Sequence, residues 1–464
     1  MRGCGCRAQG IAKESYLEKL RVAVVGAGPA GIYASDLILK AERDFDVSID
    51  LFDLLPTPYG LVRYGVAPDH PRIKGIVNAL FEVLDRGDIR FFGNVEYGKD
   101  LTLEELKTHY HAVIFATGAI ADADLNIPGI DLEGSYGAAD FVNWYDAHPD
   151  FPRQWPLDAQ QVAVIGNGNV ALDVARMLIK LPDDLSSTEI PPHVERGLRE
   201  SKITDVHVFG RRGPAQVKFS PLELREALAV EGVQSIVYDE DFEYDEGSAK
   251  QMVESNQTRV MVKTLEGLRE NPQPESDRRL HLHFLSTPEE IVGDGKVEAI
   301  RIRRNHLDGN GGVVATDEIR EFPVQAVYRA VGYFGSPLPE IPFDGKYGVI
   351  RNDGGRVIDE EGQQVKGVYA TGWIKRGPVG LIGHTKADAI ETIGHLLSEK
   401  ENWWSPSKPA EQSVVELLES KQVSFVSWDG WLKENAEELR RGEASGRERE
   451  KLFDRDEMVQ IANS

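Results

Sequence analysis

Cysteine is almost missing from this chain: 464 residues contain two, Cys4 and Cys6, both near the N-terminus. Two thiols cannot build a disulfide framework or a protein-borne Cys4 iron–sulfur cluster, and the C-x-x-C pair that disulfide reductases require is absent. The expected compartment is therefore the cell interior, cytoplasmic. Long apolar runs are also lacking. None reaches the roughly 18 residues that a membrane helix needs, so no membrane insertion is expected. Met1 to Leu20 carries scattered charge without a central apolar block, which argues against a secretory signal, and residues 1–19 read as a disordered tail. Basic charge is in deficit, with 53 Lys and Arg against 76 Asp and Glu and a net charge of −23. That balance speaks against general nucleic-acid binding, and no cluster of metal ligands stands out.

What is present is glycine in two patterned turns. Val22 to Val25 is a buried strand that runs into Gly26-Ala27-Gly28-Pro29-Ala30-Gly31, a G-x-G-x-x-G turn opening a helix. Its three glycines suit a tight turn, close approach of a pyrophosphate, and helix–strand packing, and the helix N-terminus favours the anion. A second strand, Ser48 to Phe52, ends at Asp53, 22 residues beyond Gly31, where an acid should hold ribose hydroxyls. The proline- and glycine-rich loop after Asp53 has room to wrap a larger molecule, which favours FAD over NAD. The second turn is Gly166-Asn167-Gly168-Asn169-Val170-Ala171, again between strand and helix. After the following strand, Val206 to Phe209, the chain carries Arg211-Arg212 where an NAD enzyme would carry an acid. Two guanidiniums can grip a 2′-phosphate that a carboxylate would repel, so this site reads as NADP-selective. The 40-residue gap from Ala171 to Arg211 exceeds the usual spacing and implies an insertion at Pro182 to Lys202.

The length allows two to three domains. Alternating strand and helix patterns predict an α/β fold with two Rossmann-like dinucleotide-binding domains. Helices are expected over about Arg72 to Leu84, Val170 to Leu181 and Thr385 to Leu397. The acidic stretch Tyr238 to Arg279 reads as antiparallel β-structure with an exposed loop. Strand-like runs at Leu280 to Leu285 and Val297 to Arg304 flank the turn signal Asp308-Gly309-Asn310-Gly311-Gly312. Trp403, Trp404, Trp428 and Trp431 read as anchors of a C-terminal helical segment.

Taken together, Tyr59 to Pro71, Gly166 to Asp173, Gly210 to Pro214 and Ala370 to Pro378 resemble the adrenodoxin-reductase-like ferredoxin–NADP reductases, from about Arg21 to Trp431. The resemblance implies an NADP domain inserted in an FAD domain: a first FAD part over 20–120, the NADP domain over 121–335, and the second FAD part with the helical appendage over 336–464. It implies FAD around Gly26, Gly28, Pro29, Ala30, Gly31, Asp53, Leu61, Trp373, Gly380, Leu381 and Ile382. NADPH would lie on Gly166, Asn167, Gly168, Asn169, Val170, Arg211, Arg212 and Glu223, with Trp373 and Gly380 at the junction. His70 and Glu226 match catalytic positions close to the flavin. The implied activity is hydride transfer from NADPH to FAD, then single electrons to a ferredoxin or similar iron–sulfur protein, carried out by a monomer. Arg63, Arg72, Lys74, Lys375 and Arg376 are candidates for a basic docking patch. The alternatives are a non-catalytic FAD/NADPH-binding sensor and a reductase subunit serving a synthase; the second normally carries a cysteine-rich cluster domain that two cysteines cannot build.

Overall fold

The computed structural model describes residues 19–380 and 382–464. The tail expected before Lys19, with Cys4 and Cys6, lies outside the described residues, as does Leu381. Lys19 itself already belongs to the first strand, Lys19–Val25. That strand lies in the interior of a seven-stranded sheet. Its parallel neighbours are Asp46–Phe52 on one side and Ala112–Phe115 on the other, with Ile89–Phe92 beyond the first and Gln364–Ala370 beyond the second. Two short antiparallel strands, Arg356–Ile358 and Asn352–Asp353, finish the edge. Val22, Ala23 and Val24 are fully buried, as expected of a strand covered on both faces.

A second sheet is built only from residues between 135 and 329. Its six parallel strands run in the order Ser135–Gly137, Ala326–Arg329, Gln161–Ile165, Asp205–Phe209, Arg278–His283, Val233–Val237. The chain leaves and re-enters the first sheet's unit through a small ladder pairing Ala121–Asp122 with Tyr333–Phe334. A three-stranded antiparallel sheet, Ser286–Val292, Ala299–Leu307 and Val313–Pro323, packs on the second sheet through Ile291, Ile300, Ile302 and Val327.

Several readings of the sequence need correction here. Tyr238 to Arg279 is helical in its greater part, with helices Glu246–Glu254 and Asn256–Glu270 capped by Asp245 and Ser255. Met261, Leu265 and Leu268 recur at helical spacing and are buried, a stripe hidden among acidic and polar neighbours. The Asp308–Gly312 turn does close a hairpin, but its arms are Ala299–Leu307 and Val313–Pro323. Leu280 and Leu282 instead lie in a parallel strand of the second sheet. The expected helix from Arg72 is broken at Gly75 into Pro71–Lys74 and Ile76–Leu84. The Pro182 to Lys202 excursion contains a helix, Pro192–Glu200.

The C-terminal helices are a structural clamp. Trp431 on helix Trp428–Ser445 is buried against Tyr59, and Trp403 donates from Nε1 to the Leu396 carbonyl at 2.9 Å. The same helix buries Glu438, which pairs with Arg63 and, at 2.9 Å, with Arg449. Lys451 reaches Asp146 at 3.1 Å and Glu189 at 2.8 Å, and Lys74 lies 2.6 Å from the same Glu189 oxygen. The network thus joins the first sheet's loop, the second sheet's unit and the C-terminal segment. Arg63, Lys74 and Lys375 are therefore not a docking patch. All three are buried, Lys375 beside Asp388 at 3.1 Å and Glu391 at 2.7 Å. Of the five candidates only Arg72 is exposed, and Arg376 is half-buried.

Removing one partner from a buried charge cluster strands the others in low dielectric, at a cost of roughly 3–5 kcal/mol. Lys451→Ala leaves Asp146 with only the more distant Lys74 at 3.7 Å, among the described residues, and Glu189 with Lys74 and Arg449, and a drop of that size in urea-unfolding free energy is expected. A loss below about 1 kcal/mol would show that the network behaves like a solvated surface pair.

Candidate active site

Three segments converge on the first glycine turn. Gly26 has φ 112°, and a Cβ there would stand 2.4 Å from the Ala116 carbonyl oxygen, so only glycine lets the strand end pass this close. The Asp53 carboxylate accepts from the Ala27 N–H at 2.6 Å and the Leu55 N–H at 2.9 Å. It thereby ties the turn to its own loop, and each oxygen keeps a lone pair. Burial raises its pKa to about 6, against the lowering effect of those two N–H groups. The loop after Asp53 returns over the turn: Tyr59 N–H donates to the Ala27 carbonyl at 2.8 Å, and Gly60 lies over Gly28. Leu61 follows, half-buried, at the start of the short Leu61–Tyr64 helix. From the other side Gly372, at φ 76°, sits so close to Ala30 that a Cβ would come within 2.5 Å of the Ala30 Cβ. Trp373 therefore begins at the N-terminus of helix Pro29–Lys40, half-buried, with Gly380 exposed further along. Gly372 N–H is held by Asp388 Oδ2 at 2.6 Å. Ile382 opens helix Ile382–Ser398.

The second turn is organised in the same way. Gly168 faces open space, and a Cβ there would meet nothing within 4 Å. Asn169 Oδ1 accepts from the Ser220 N–H at 2.8 Å, and Ser220 caps helix Pro221–Leu228 through the Glu223 N–H. Arg211 is exposed and Arg212 half-buried, and neither guanidinium has a carboxylate of a described residue within ion-pair distance. Both glycine-turn helices, Pro29–Lys40 and Asn169–Ile179, lack a side-chain cap and carry no acid in the first turn. Six other helices are capped by Thr102, Ser220, Asp245, Ser255, Ser427 and Asp454, while others, such as Ala138–Tyr145 and Pro192–Glu200, are also without a side-chain cap. Uncapped N–H groups beneath an open glycine turn fit a pyrophosphate at each place.

His70 connects the two units. Its Nε2 lies 2.9 Å from Asp173 and 3.2 Å from Glu223, and its Nδ1 lies 3.0 Å from Glu226. Arg176 shares Asp173 Oδ1 at 2.9 Å and is held by Asp69 through two hydrogen bonds of 2.8 and 2.9 Å. Arg176 Nη2 also stands 2.6 Å from His70 Nε2. Burial opposes a charge on His70, but hydrogen bonds to Asp173 and Glu223 outweigh it and raise the ring to about 10. A half-exposed Glu226 leaves a route from Nδ1 to solvent. Glu223 is buried rather than part of a solvated face, because it pairs with His70 and Arg176. Asp69, Asp173 and Arg176 carried no role in the sequence reading. The available signal was a charged stripe, Asp173, Arg176 and Lys180, on a helix whose face should have been apolar.

A second histidine group went unnoticed in the sequence. His207, His281 and His283 lie on adjacent strands, with His207 Nδ1 3.0 Å from His283 Nε2 and His281 Nε2 3.0 Å from Asp205. Their rings are stacked within 20° of parallel and their ligand nitrogens lie within 4.8 Å of one another, but His207 Nδ1 and His283 Nε2 face each other, and His281 is engaged by Asp205 and Tyr238. Tyr238 completes the stack with a 2.8 Å hydrogen bond to His281.

Two glycine-turn sheets, one inserted in the chain of the other, define a pyridine-nucleotide oxidoreductase of the two-dinucleotide type. Residues 20–208 match the family model described as pyridine nucleotide-disulphide oxidoreductase. The chain is 42% identical to NADPH-ferredoxin reductase FprA of Mycobacterium tuberculosis, over 95% of this chain and 98% of that one. It is 38% identical to the mitochondrial NADPH:adrenodoxin oxidoreductase of Salvelinus fontinalis, over 98% and 93%. A solved structure of Mycobacterium tuberculosis FprA in complex with NADPH superposes with a TM-score of 0.88 at 40% identity, covering 96% of this chain and all of that one. This chain belongs to the NADPH–ferredoxin and adrenodoxin reductase family.

The sign of the His70 shift sets a pH dependence. A ring raised from 6.5 to about 10 stabilises the fold fully below pH 6.5 and loses that contribution as pH rises through about 10. His70→Gln should melt well below the parent protein at pH 6.5 and converge on it toward pH 10.5. A difference in melting temperature that stays constant across this range would mean that His70 is not charged in the fold.

Proposed function

We propose that this protein oxidises NADPH, holds FAD as its resident redox group, and delivers electrons one at a time to a ferredoxin-type iron–sulfur protein. The observation that carries the reading is the pair Arg211 and Arg212: two cations with no acid partner among the described residues, placed beside an open glycine turn in a chain of net charge −23. Phosphate recognition explains why they are left unpaired.

The first turn, with Gly26, Gly28, Pro29, Ala30 and Gly31, would seat the FAD pyrophosphate, and Asp53 would accept from the ribose. Leu61 and Trp373 would flank the ring system from opposite sides, with Gly380 and the start of the following helix allowing close approach of the backbone. Gly166, Asn167, Gly168, Asn169 and Val170 would seat the NADPH pyrophosphate, with Arg211 and Arg212 on its 2′-phosphate. FAD, when bound, supplies the chemistry of accepting two electrons together and releasing them singly. The protein's part is to align two ligands and manage a proton. His70 Nδ1 lies 3.0 Å from Glu226 Oε2, and the half-exposed Glu226 would pass a proton between the ring and solvent. Arg176, locked between Asp69 and Asp173, fixes the loop carrying His70 against the helix of the second turn. Residues 121–335 are the NADPH-binding unit in this reading, inserted between two parts of the FAD-binding unit; the ladder at Ala121–Asp122 and Tyr333–Phe334 supports that division.

The protein is proposed to act as a monomer in the cell interior, without nucleic acid. Scarcity of cysteine supports the compartment and the strongly acidic balance the lack of nucleic acid. No helix among the described residues is long and apolar enough to cross a membrane.

The direct test is anaerobic reduction of the purified protein followed at the flavin band. NADPH should bleach it at least roughly tenfold faster than NADH at equal, subsaturating concentration, and Arg211→Ala/Arg212→Ala should erase most of that preference. Equal rates with both nucleotides, or a protein that purifies without flavin, would overturn the assignment.

A further inference from the structure

We propose that Lys218 is a third cation of the nicotinamide-nucleotide site, holding a phosphate of NADPH alongside Arg211 and Arg212. The inference rests on the NADPH reading above and adds a residue that neither glycine turn nor the Arg-Arg pair contains. Lys218 lies in the segment that walls the second glycine turn. Its N–H donates to the Asn167 carbonyl at 2.8 Å, and two residues later the Ser220 N–H donates to Asn169 Oδ1 at 2.8 Å. Asn167 and Asn169 are the two residues that bracket Gly168, above which the structure is open. Phe219 is buried and Val217 packs against the same core, while Lys218 between them is exposed. Its ammonium, like the guanidiniums of Arg211 and Arg212, has no carboxylate of a described residue within ion-pair distance.

Charge balance gives Lys218 a role. NADPH brings about four negative charges, because its 2′-phosphate carries roughly −1.5 to −2 in addition to the pyrophosphate. Two guanidiniums and a helix N-terminus worth about half a charge leave more than one negative charge uncovered. In a chain of net charge −23 an anionic ligand is repelled at long range, so uncovered ligand charge is costly unless cations are concentrated where it lands. A lysine anchored by its own backbone to the glycine turn supplies that cation. Its point-charge ammonium on a four-carbon stem can follow a phosphate without the fixed geometry of a guanidinium.

The test is equilibrium binding of NADP+, 2′,5′-ADP and NAD+ to the flavin-loaded protein by calorimetry, in the parent, Lys218→Ala and Arg211→Ala/Arg212→Ala. Lys218→Ala should weaken NADP+ binding about tenfold, the size of one charge-assisted hydrogen bond, and flatten its dependence on salt. Weaker 2′,5′-ADP binding with NAD+ unchanged supports contact with the 2′-phosphate. Equal weakening of NADP+ and NAD+ supports contact with the pyrophosphate. Unchanged affinity for all three ligands in Lys218→Ala, with the double arginine variant impaired for NADP+, overturns the role of Lys218 alone. Unchanged NADP+ affinity in the double arginine variant as well removes the NADPH reading and this inference with it.

Discussion

A buried guanidinium determines how the two nucleotide sites face each other. Arg176 is almost wholly excluded from solvent, on the helix opened by the second glycine turn, and its carboxylate partners come from three places. Asp69 belongs to the loop that follows the first turn, Asp173 to its own helix, and Glu223 to the helix hung from Asn169 through Ser220. A guanidinium taken out of water must keep such partners, because losing one leaves an uncompensated charge in low dielectric. The loop that crosses the first turn is therefore not free to drift from the second. The Lys451 network applies the same constraint at a second point, with the C-terminal segment as the third party. Two units that could have hinged independently are held by paired charges at two separate places.

The distribution of charge inside an acidic protein follows from this arrangement. Cations at the interface between units are neutralised: Arg63 by Glu438, Lys74 by Glu189, Arg176 by Asp69 and Asp173. Arg211, Arg212 and Lys218 around the second turn are not. The helices beside the two open turns are likewise uncapped, whereas many others end on a serine, threonine or aspartate. Cations without a carboxylate partner among the described residues and N–H donors without a side-chain cap coincide around the second turn. That coincidence separates a binding site from an ordinary surface more clearly than any one residue does.

Much of this was legible in the residues. A glycine pattern between a buried strand and a helix has few alternative meanings, since turn, strand and helix are all set by near neighbours in the chain. The same holds for the Arg-Arg pair, whose significance comes from its place after a strand. Local pattern failed where long-range partners decide. Arg63, Lys74 and Lys375 read as surface cations because nothing near them in sequence shows that Glu438, Glu189 and Asp388 will enclose them. The stretch from Tyr238 to Arg279 read as β-structure because its polar composition hid Met261, Leu265 and Leu268, whose burial depends on the sheet they pack against. His207, His281 and His283 lie 74 and 76 residues apart at their extremes, and only strand pairing stacks them.

By itself the sequence determined two glycine turns between strand and helix, their different neighbours (an acid after the first, two arginines after the second), and a family whose members span nearly the whole chain. These are properties of short segments, fixed by backbone sterics and by charge at defined offsets. Tertiary structure decided which charges are spent inside the molecule and which are left for ligands. It also decided that His70 would sit among Asp173, Glu223 and Glu226 rather than form a simple structural hydrogen bond. Those outcomes depend on burial and on which carboxylates arrive from distant parts of the chain, and a charged side chain's state is set by its neighbours in space.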